Sequence, residues 1–229
     1  MTHFSSQHPA TFDPVAAARQ LAPRIIAARD EIERTRRTPP DLVKDIAAAG
    51  LYQMFLPRSV GGMEASPLTA FEAIEVLSAA DGSVGWSAMI ATDVSLITGW
   101  LETGVVREMG GNPPDLRVAG SLRPQGHARL ADGGYRVKGH WNFASGIGHA
   151  NWIYAPCLVM DGEKPVMTPA GTPRVWAMWL PLEQAKVVDN WSTLGMRGTG
   201  SHDFIVEDVF VPAKYTCFLG DPPIEQGPL

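Results

Sequence analysis

The sequence predicts an α+β protein: an N-terminal all-α domain over residues 1–112, a β-barrel or sandwich domain over residues 113–215, and a tail, 216–229, expected to be flexible. Three observations carry that prediction. Apolar residues recur at helical spacing before about residue 112 and with a period of two after it. Alanine concentrates in the first part, whereas short β-rich runs broken by Gly and Pro fill the second. Glycine and proline number 23 and 19 among 229 residues. That share exceeds the usual ~12% and argues for a turn-rich β portion and against a helical bundle.

The first helix is expected to begin at Asp13, whose carboxylate can accept a bond from an orphan N–H, with Pro14 at a position that needs no N–H. Val15, Ala18, Leu21, Ile25, Ala28 and Ile32 keep a spacing of three to four and carry the helix toward its stop at Pro39-Pro40. A second helix over 41–49 ends at Gly50, which tolerates positive φ. Leu51-Tyr-Gln-Met-Phe-Leu-Pro57 is expected to run extended into a Gly61-Gly62 turn. Ser66-Pro67 opens a third helix to about Ala80. Asp81-Gly82-Ser83 breaks it and caps a fourth, and a shorter fifth near 102–109 ends at Gly110-Gly111.

From Leu116 the period-two pattern predicts strands at about 116–122, 127–131, 134–139, 141–145, 152–159, 174–180, 185–189 and 203–210. Asp132-Gly133-Gly134 supplies a hairpin turn whose residues need positive φ.

Composition removes several classes. The net charge is −5, from 19 Lys+Arg against 24 Asp+Glu, and no basic block occurs, so nucleic acid is not an expected partner. The most apolar window, Val84 to Leu101, carries Asp93 and several Ser, Thr and Gly residues, and reads as a buried helix and not as a bilayer span. Met1-Thr-His-Phe-Ser-Ser6 lacks the basic stretch and apolar run of a secretory signal, so a soluble, cytoplasmic protein is expected. Cys157 and Cys217 read as reduced structural residues, and the six histidines show no metal spacing.

Gly198-Thr-Gly-Ser-His-Asp203 has the look of a phosphate loop but is followed by an alternating strand, so the dinucleotide and P-loop readings fail on context. Ser201, His202 and Asp203 are contiguous on that strand, point to alternate faces and cannot align as a hydrolytic relay. Gly139-His-Trp-Asn-Phe-Ala-Ser-Gly146 is more informative. An aromatic strand ending in a small hydroxyl residue and glycines lets a flat ring approach the backbone, with Phe143 against the ring and Ser145 donating a hydrogen bond to a ring nitrogen. Trp191-Ser-Thr-Leu-Gly-Met-Arg-Gly-Thr-Gly-Ser201 adds a second indole and further hydroxyls. Taken singly, each segment also fits ordinary packing at a barrel corner.

Four ordered stretches make the chain resemble the first two domains of the acyl-CoA dehydrogenase superfamily of flavoproteins: Gly50 to Gly62, Ala80-Asp-Gly-Ser-Val-Gly-Trp86, Gly133 to Gly146, and Leu194 to Pro212. Within it, the Trp-x-Phe-x-Ser-Gly strand and Arg197-Gly-Thr-Gly-Ser201 resemble the flavin-dependent two-component monooxygenases. Those enzymes receive reduced flavin from a separate reductase and use O2 to hydroxylate aromatic or heteroaromatic substrates. The resemblance implies a flavin cofactor, FAD or FMN. Ser145 matches the hydroxyl residue bonded to flavin N5, and Phe143 the aromatic along the ring system. Trp191 matches a flavin-contacting tryptophan, Thr199 and Ser201 match small polar residues nearby, and Ser121 matches a polar residue facing the pyrimidine end. Trp86 is placed on the substrate side.

Two departures stand beside these matches. Ala119-Gly-Ser-Leu-Arg-Pro-Gln-Gly126 lacks the acidic and Gly-Ser-Asp elements that acyl-CoA dehydrogenases carry on the first barrel strand. The C-terminal four-helix bundle of the family, which builds its tetramer and carries the dehydrogenase base, lies outside the sequence, so no catalytic residue is assigned. The alternatives are an acyl-CoA dehydrogenase acting on a thioester and a non-catalytic binding or assembly module. A homo-oligomer is expected by analogy with intact family members.

Overall fold

The structure is a computed structural model that describes residues 13–224. The N-terminal segment read for a secretory signal and the end of the tail, 225–229, lie outside the described residues. Six helices come first: α1 (Pro14–Ala27), α2 (Arg29–Thr35), α3 (Pro40–Ala48), α4 (Pro67–Ala80), α5 (Gly82–Leu96) and α6 (Thr103–Gly110). Asp13 caps α1 by accepting from the Val15 and Ala16 amides, and Asp81 caps α5 by accepting from those of Ser83 and Val84. Both caps fall where the sequence placed them.

Two expectations for this part are corrected. The first helix does not continue to the Pro39-Pro40 stop: it breaks at Ala28, restarts at Arg29, and ends where Arg36 adopts a left-handed conformation (φ 59°). Beyond the break, the Arg29 guanidinium donates to the Ala79 and Ala80 carbonyls at the end of α4, which periodicity cannot anticipate. Leu51–Pro57 is not extended either. Its backbone folds through successive turns, Gln53 N–H to Gly50 O and Leu56 N–H to Gln53 O, with Leu51, Tyr52, Met54 and Leu56 all buried. An unbroken apolar run reports burial on every side, and here that burial is of a turn and not of a strand.

The second part is one mixed sheet of nine strands: β1 (Val118–Gly120), β2 (Gly126–Ala131), β3 (Gly134–Ala144), β4 (Trp152–Asp161), β5 (Lys164–Pro165), β6 (Val175–Pro181), β7 (Lys186–Val188), β8 (His202–Pro212) and β9 (Thr216–Cys217). The order along the sheet is β7-β8-β3-β2-β4-β6-β9, with β1 and β5 also paired to β4. The two strands expected at 134–139 and 141–145 are a single strand. β5 and β9 were not foreseen, each being two residues long. From 216 onward the chain was expected to be flexible; Thr216–Cys217 pairs with β6, the Trp100 indole donates to Asp221 O, and the Ile224 amide donates to Gly99 O.

Alternation along the strands divides two cores. On β4 and β6, Ile153, Ala155, Met178 and Leu180 point inward to meet Trp141 and Phe204 from β3 and β8. Tyr154, Ala177 and Trp179 point the other way, against Leu101, Val105 and Met109 of the helical part. The sheet therefore wraps its own core and also lies on the helices. Trp141 is fully buried, stacks on Phe204 at 4.9 Å and donates to Pro156 O. Gly126 and Gly139 make room for it, since a Cβ on Gly126 would stand 2.0 Å from the indole. Gln53 ties the two parts together: its amide donates to Pro114 O and its carbonyl accepts from the Leu116 amide.

Candidate functional site

Where the end of β3, the loop after β1 and the 191–201 segment meet α5, they enclose a cleft of about 520 Å³. All seven residues singled out from the sequence line it: Trp86 from α5; Ser121 after β1; Phe143 and Ser145 at the end of β3; Trp191, Thr199 and Ser201 from the segment before β8.

Each arrives by a local device. On α5, Trp86, Ile90 and Asp93 recur at i, i+4 and i+7, and Ile97 just past its end continues the spacing, so one stripe of an otherwise buried helix faces the cleft. On β3, pairing with β8 shifts between Trp141–Phe204 and Ala144–His202, so two β3 residues oppose Asp203 alone. Such a bulge redirects a side chain. Phe143 sits in it at φ 64°, and its ring stands 59% exposed at the cleft. A non-glycine residue in the left-handed region is strained and marks a position that the surroundings enforce. Trp191 meets Phe143 edge-on, with ring centroids 6.2 Å apart and planes at 80°.

Beyond Trp191 the chain makes a short 3-10 turn, Arg197–Thr199. Gly198 is needed there, because a Cβ on it would lie 2.1 Å from Ile32 Cγ2 and 2.9 Å from Ser83 Cβ. The glycines of Arg197-Gly-Thr-Gly-Ser201 thus serve close approach to α2 and α5 and a left-handed step at Gly200 (φ 49°). Arg197 adds a bond to Glu33 O in the helical part.

The hydroxyls form one connected group. The Trp86 indole N–H donates to Ser145 Oγ at 3.0 Å, and Ser145 Oγ lies 2.7 Å from Ser201 Oγ. Ser201 Oγ is 2.7 Å from Thr199 Oγ1, which donates to Met196 O at 2.9 Å. Ser145, Thr199 and Ser201 are all buried. Ser121 stands apart and accepts from the Arg123 amide.

Sequence reasoning missed Asp93 and Arg123, the acidic and basic residues in the cleft wall. Desolvation holds the Asp93 carboxyl above the ordinary range. The available signal was a lone acid in the apolar window Val84 to Leu101, which reads first as an argument against a membrane span. No helix among the described residues is in fact long and apolar enough to cross one.

Ser201, His202 and Asp203 do not bond to one another as a hydrolytic relay. His202 Nδ1 accepts from the Asn190 and Trp191 amides, and burial holds the ring below its ordinary pKa. Asp203 turns to His140 Nε2 (2.8 Å) and Asn142 Nδ2 (2.7 Å). Burial pushes the Asp203 carboxyl up, but those bonds outweigh it and hold the group below the usual carboxylate range. Among the described residues no cluster of three His, Cys, Asp or Glu could hold a metal, and both cysteines are free and buried.

The cleft has a lining of the character that a flat aromatic heterocycle requires. Its walls are largely apolar, with Phe143, Leu122 and Met196 substantially exposed along it, and its polar atoms are gathered at the hydroxyl group and a few edge positions.

The chain is similar to several known proteins. Residues 15–112 match the family described as acyl-CoA dehydrogenase, N-terminal domain. Indole-3-acetate monooxygenase of Pseudomonas putida is 36% identical over 194 residues, 84% of this chain and 48% of that protein. The crystal structure of 3-HSA hydroxylase from Rhodococcus sp. RHA1 superposes with a TM-score of 0.82 at 29% identity, over 92% of this chain and 54% of that one. XiaF from Streptomyces sp., solved in complex with FADH2 and glycerol, gives 0.81 at 28% identity, over 92% and 55%. The chain spans about half the length of the curated relatives it matches.

Proposed function

We propose that this chain, which matches the acyl-CoA dehydrogenase N-terminal domain over residues 15–112 and continues into a β part, belongs to the oxygenase component of a two-component flavin monooxygenase acting on an aromatic or heteroaromatic small molecule. The observation that carries this reading is the convergence of Phe143, Ser145, Trp191, Thr199 and Ser201, with Trp86 and Ser121, on one apolar cleft.

The residues divide the work. When flavin is bound, Phe143 and Trp191 would border its ring system, Ser145 would hold the N5 edge, and Ser121 would face the pyrimidine end. Thr199 and Ser201 fix Ser145 through the hydroxyl group. The stripe of Trp86, Ile90 and Asp93 on α5, continued by Ile97, walls the substrate side. The mostly apolar lining keeps water from the reacting edge. Reduced flavin, when bound, supplies the electrons for O2 activation, which a separate reductase must provide. An acyl-CoA thioester would lack the acidic and Gly-Ser-Asp elements absent from 119–126.

The test supplies the chain with flavin, an NADH-dependent flavin reductase, labelled dioxygen and a panel of indoles and phenols. Incorporation of one labelled oxygen atom into the aromatic product is the expected result. Anaerobic oxidation of an acyl-CoA with no oxygenation of any aromatic would overturn it.

A further inference from the structure

The hydroxyl group of the cleft has a direction, and proton counting fixes it. A threonine or serine hydroxyl has one proton to give. Thr199 gives its proton to Met196 O, so toward Ser201 it is the acceptor. Ser201 therefore gives its proton to Thr199, and Ser145 gives its own to Ser201. The Trp86 indole, a donor only, occupies one acceptor position of Ser145. Ser145 is left with one acceptor position and no free proton. The sequence suggested that Ser145 donates to a ring nitrogen; the network makes it a receiver.

We propose that Thr199, acting through Ser201, makes the cleft select the reduced form of flavin. This rests on the reading that the cleft holds a flavin with N5 at Ser145. N5 of an oxidised isoalloxazine carries no hydrogen and only accepts; N5 of the reduced ring carries N–H and donates. The order inferred from the Thr199–Met196 bond would complete the last acceptor position of Ser145 with that N–H. Oxidised flavin requires the order to reverse, with Ser145 donating to N5, Ser201 to Ser145 and Thr199 to Ser201. Reversal keeps every bond of the group except that from Thr199 to Met196 O, a carbonyl that also accepts from the Trp191 indole (3.0 Å) and the Thr199 amide (3.3 Å). The preference is then that of one neutral hydrogen bond, roughly two- to tenfold in the ratio of dissociation constants. Thr199 is a positioning residue, touching the cofactor only through its neighbours. Trp86 fills the same acceptor position in both orders and sets affinity without setting preference.

The experiment is anaerobic titration of the chain with oxidised and with reduced FAD and FMN, for the wild type and for Thr199→Val, Thr199→Ser and Ser201→Ala. Wild type and Thr199→Ser are expected to favour the reduced form. Thr199→Val leaves the Ser201 proton with Ser145 as its acceptor, and Ser201→Ala leaves the Ser145 proton free for N5. In both, the ratio of the two dissociation constants should fall by the same two- to tenfold or more, toward the oxidised form. Ser201→Ala, the smaller change, stands in if Thr199→Val does not fold. Binding with an unchanged ratio in the variants would overturn the directional assignment and leave the flavin reading standing. Failure of the wild type to bind either form would overturn the flavin reading and this inference with it.

Discussion

The indole N–H of Trp86 donates to Ser145 Oγ across 3.0 Å, joining a helix of the N-terminal part to the end of a strand in the β part. The cleft is therefore a product of the interface. Its polar centre is shared between α5 and β3 and braced from a third side by the 197–201 turn.

That bond should be measurable as a coupling. Trp86→Phe keeps an aromatic ring and removes the donor, and Ser145→Ala removes the acceptor. A double-mutant cycle in urea unfolding is expected to give an interaction of about 0.5–1.5 kcal/mol. Strict additivity of the two single changes would show that the contact contributes nothing.

Gly198 is set against Ile32 and Ser83, with no space for a methyl group. Gly198→Ala is expected to lose about 1–3 kcal/mol as the turn is forced off α2 and α5. Because Thr199 follows directly, flavin affinity should fall as well. An unchanged melting temperature would show that the two parts separate there without cost.

Phe143 holds a left-handed backbone that glycine adopts freely. Phe143→Gly should therefore be more stable than Phe143→Ala by about 1 kcal/mol, the reverse of the usual order within a strand. Both should lose flavin affinity equally, since both lose the ring. Chemical unfolding of the pair, beside flavin titration, checks the two halves separately.

His149 stacks on Tyr52 at 4.9 Å, and its pKa is held down to about 4 by desolvation first and by Arg117 second. Its unfolded value lies near ~6.5. The neutral ring is thus favoured by the fold, and its contribution is complete above the unfolded pKa. As pH falls below that value the unfolded chain takes up a proton that the folded chain refuses, so stability drops toward pH 4. His202, also held low, acts with the same sign. Between about pH 6.5 and 5, before the carboxylates titrate, the His149 share is expected to be about 1–2 kcal/mol. His149→Phe, which preserves the stacking, should flatten that part of the profile, and an unaltered slope would assign the loss elsewhere.

The sequence carried the helix caps at Asp13 and Asp81, the change of period near residue 112, and most of the strands, because each is written in neighbouring residues. The break at Ala28, the turns at Leu51–Leu56 and the strand β9 depend on partners distant in the chain, and periodicity is silent about them. The candidate site divides in the same way. Its seven residues were named from the family resemblance and meet in one cleft. The bulge that turns Phe143, the direct bond from Trp86 to Ser145 and the place of Asp93 on the same stripe needed coordinates. Gly198 is already set aside as a phosphate-loop residue because a strand follows it, but its steric role against Ile32 and Ser83 needed coordinates.

The measurement that bears most directly on the central claim is an anaerobic fluorescence titration of the chain and its Ser145→Ala variant with reduced flavin. Saturable binding that quenches the tryptophans of the cleft, weakened roughly tenfold or more by loss of the Ser145 hydroxyl, is the predicted result. Absence of binding, or identical affinity in the two proteins, would contradict a flavin site centred on Ser145.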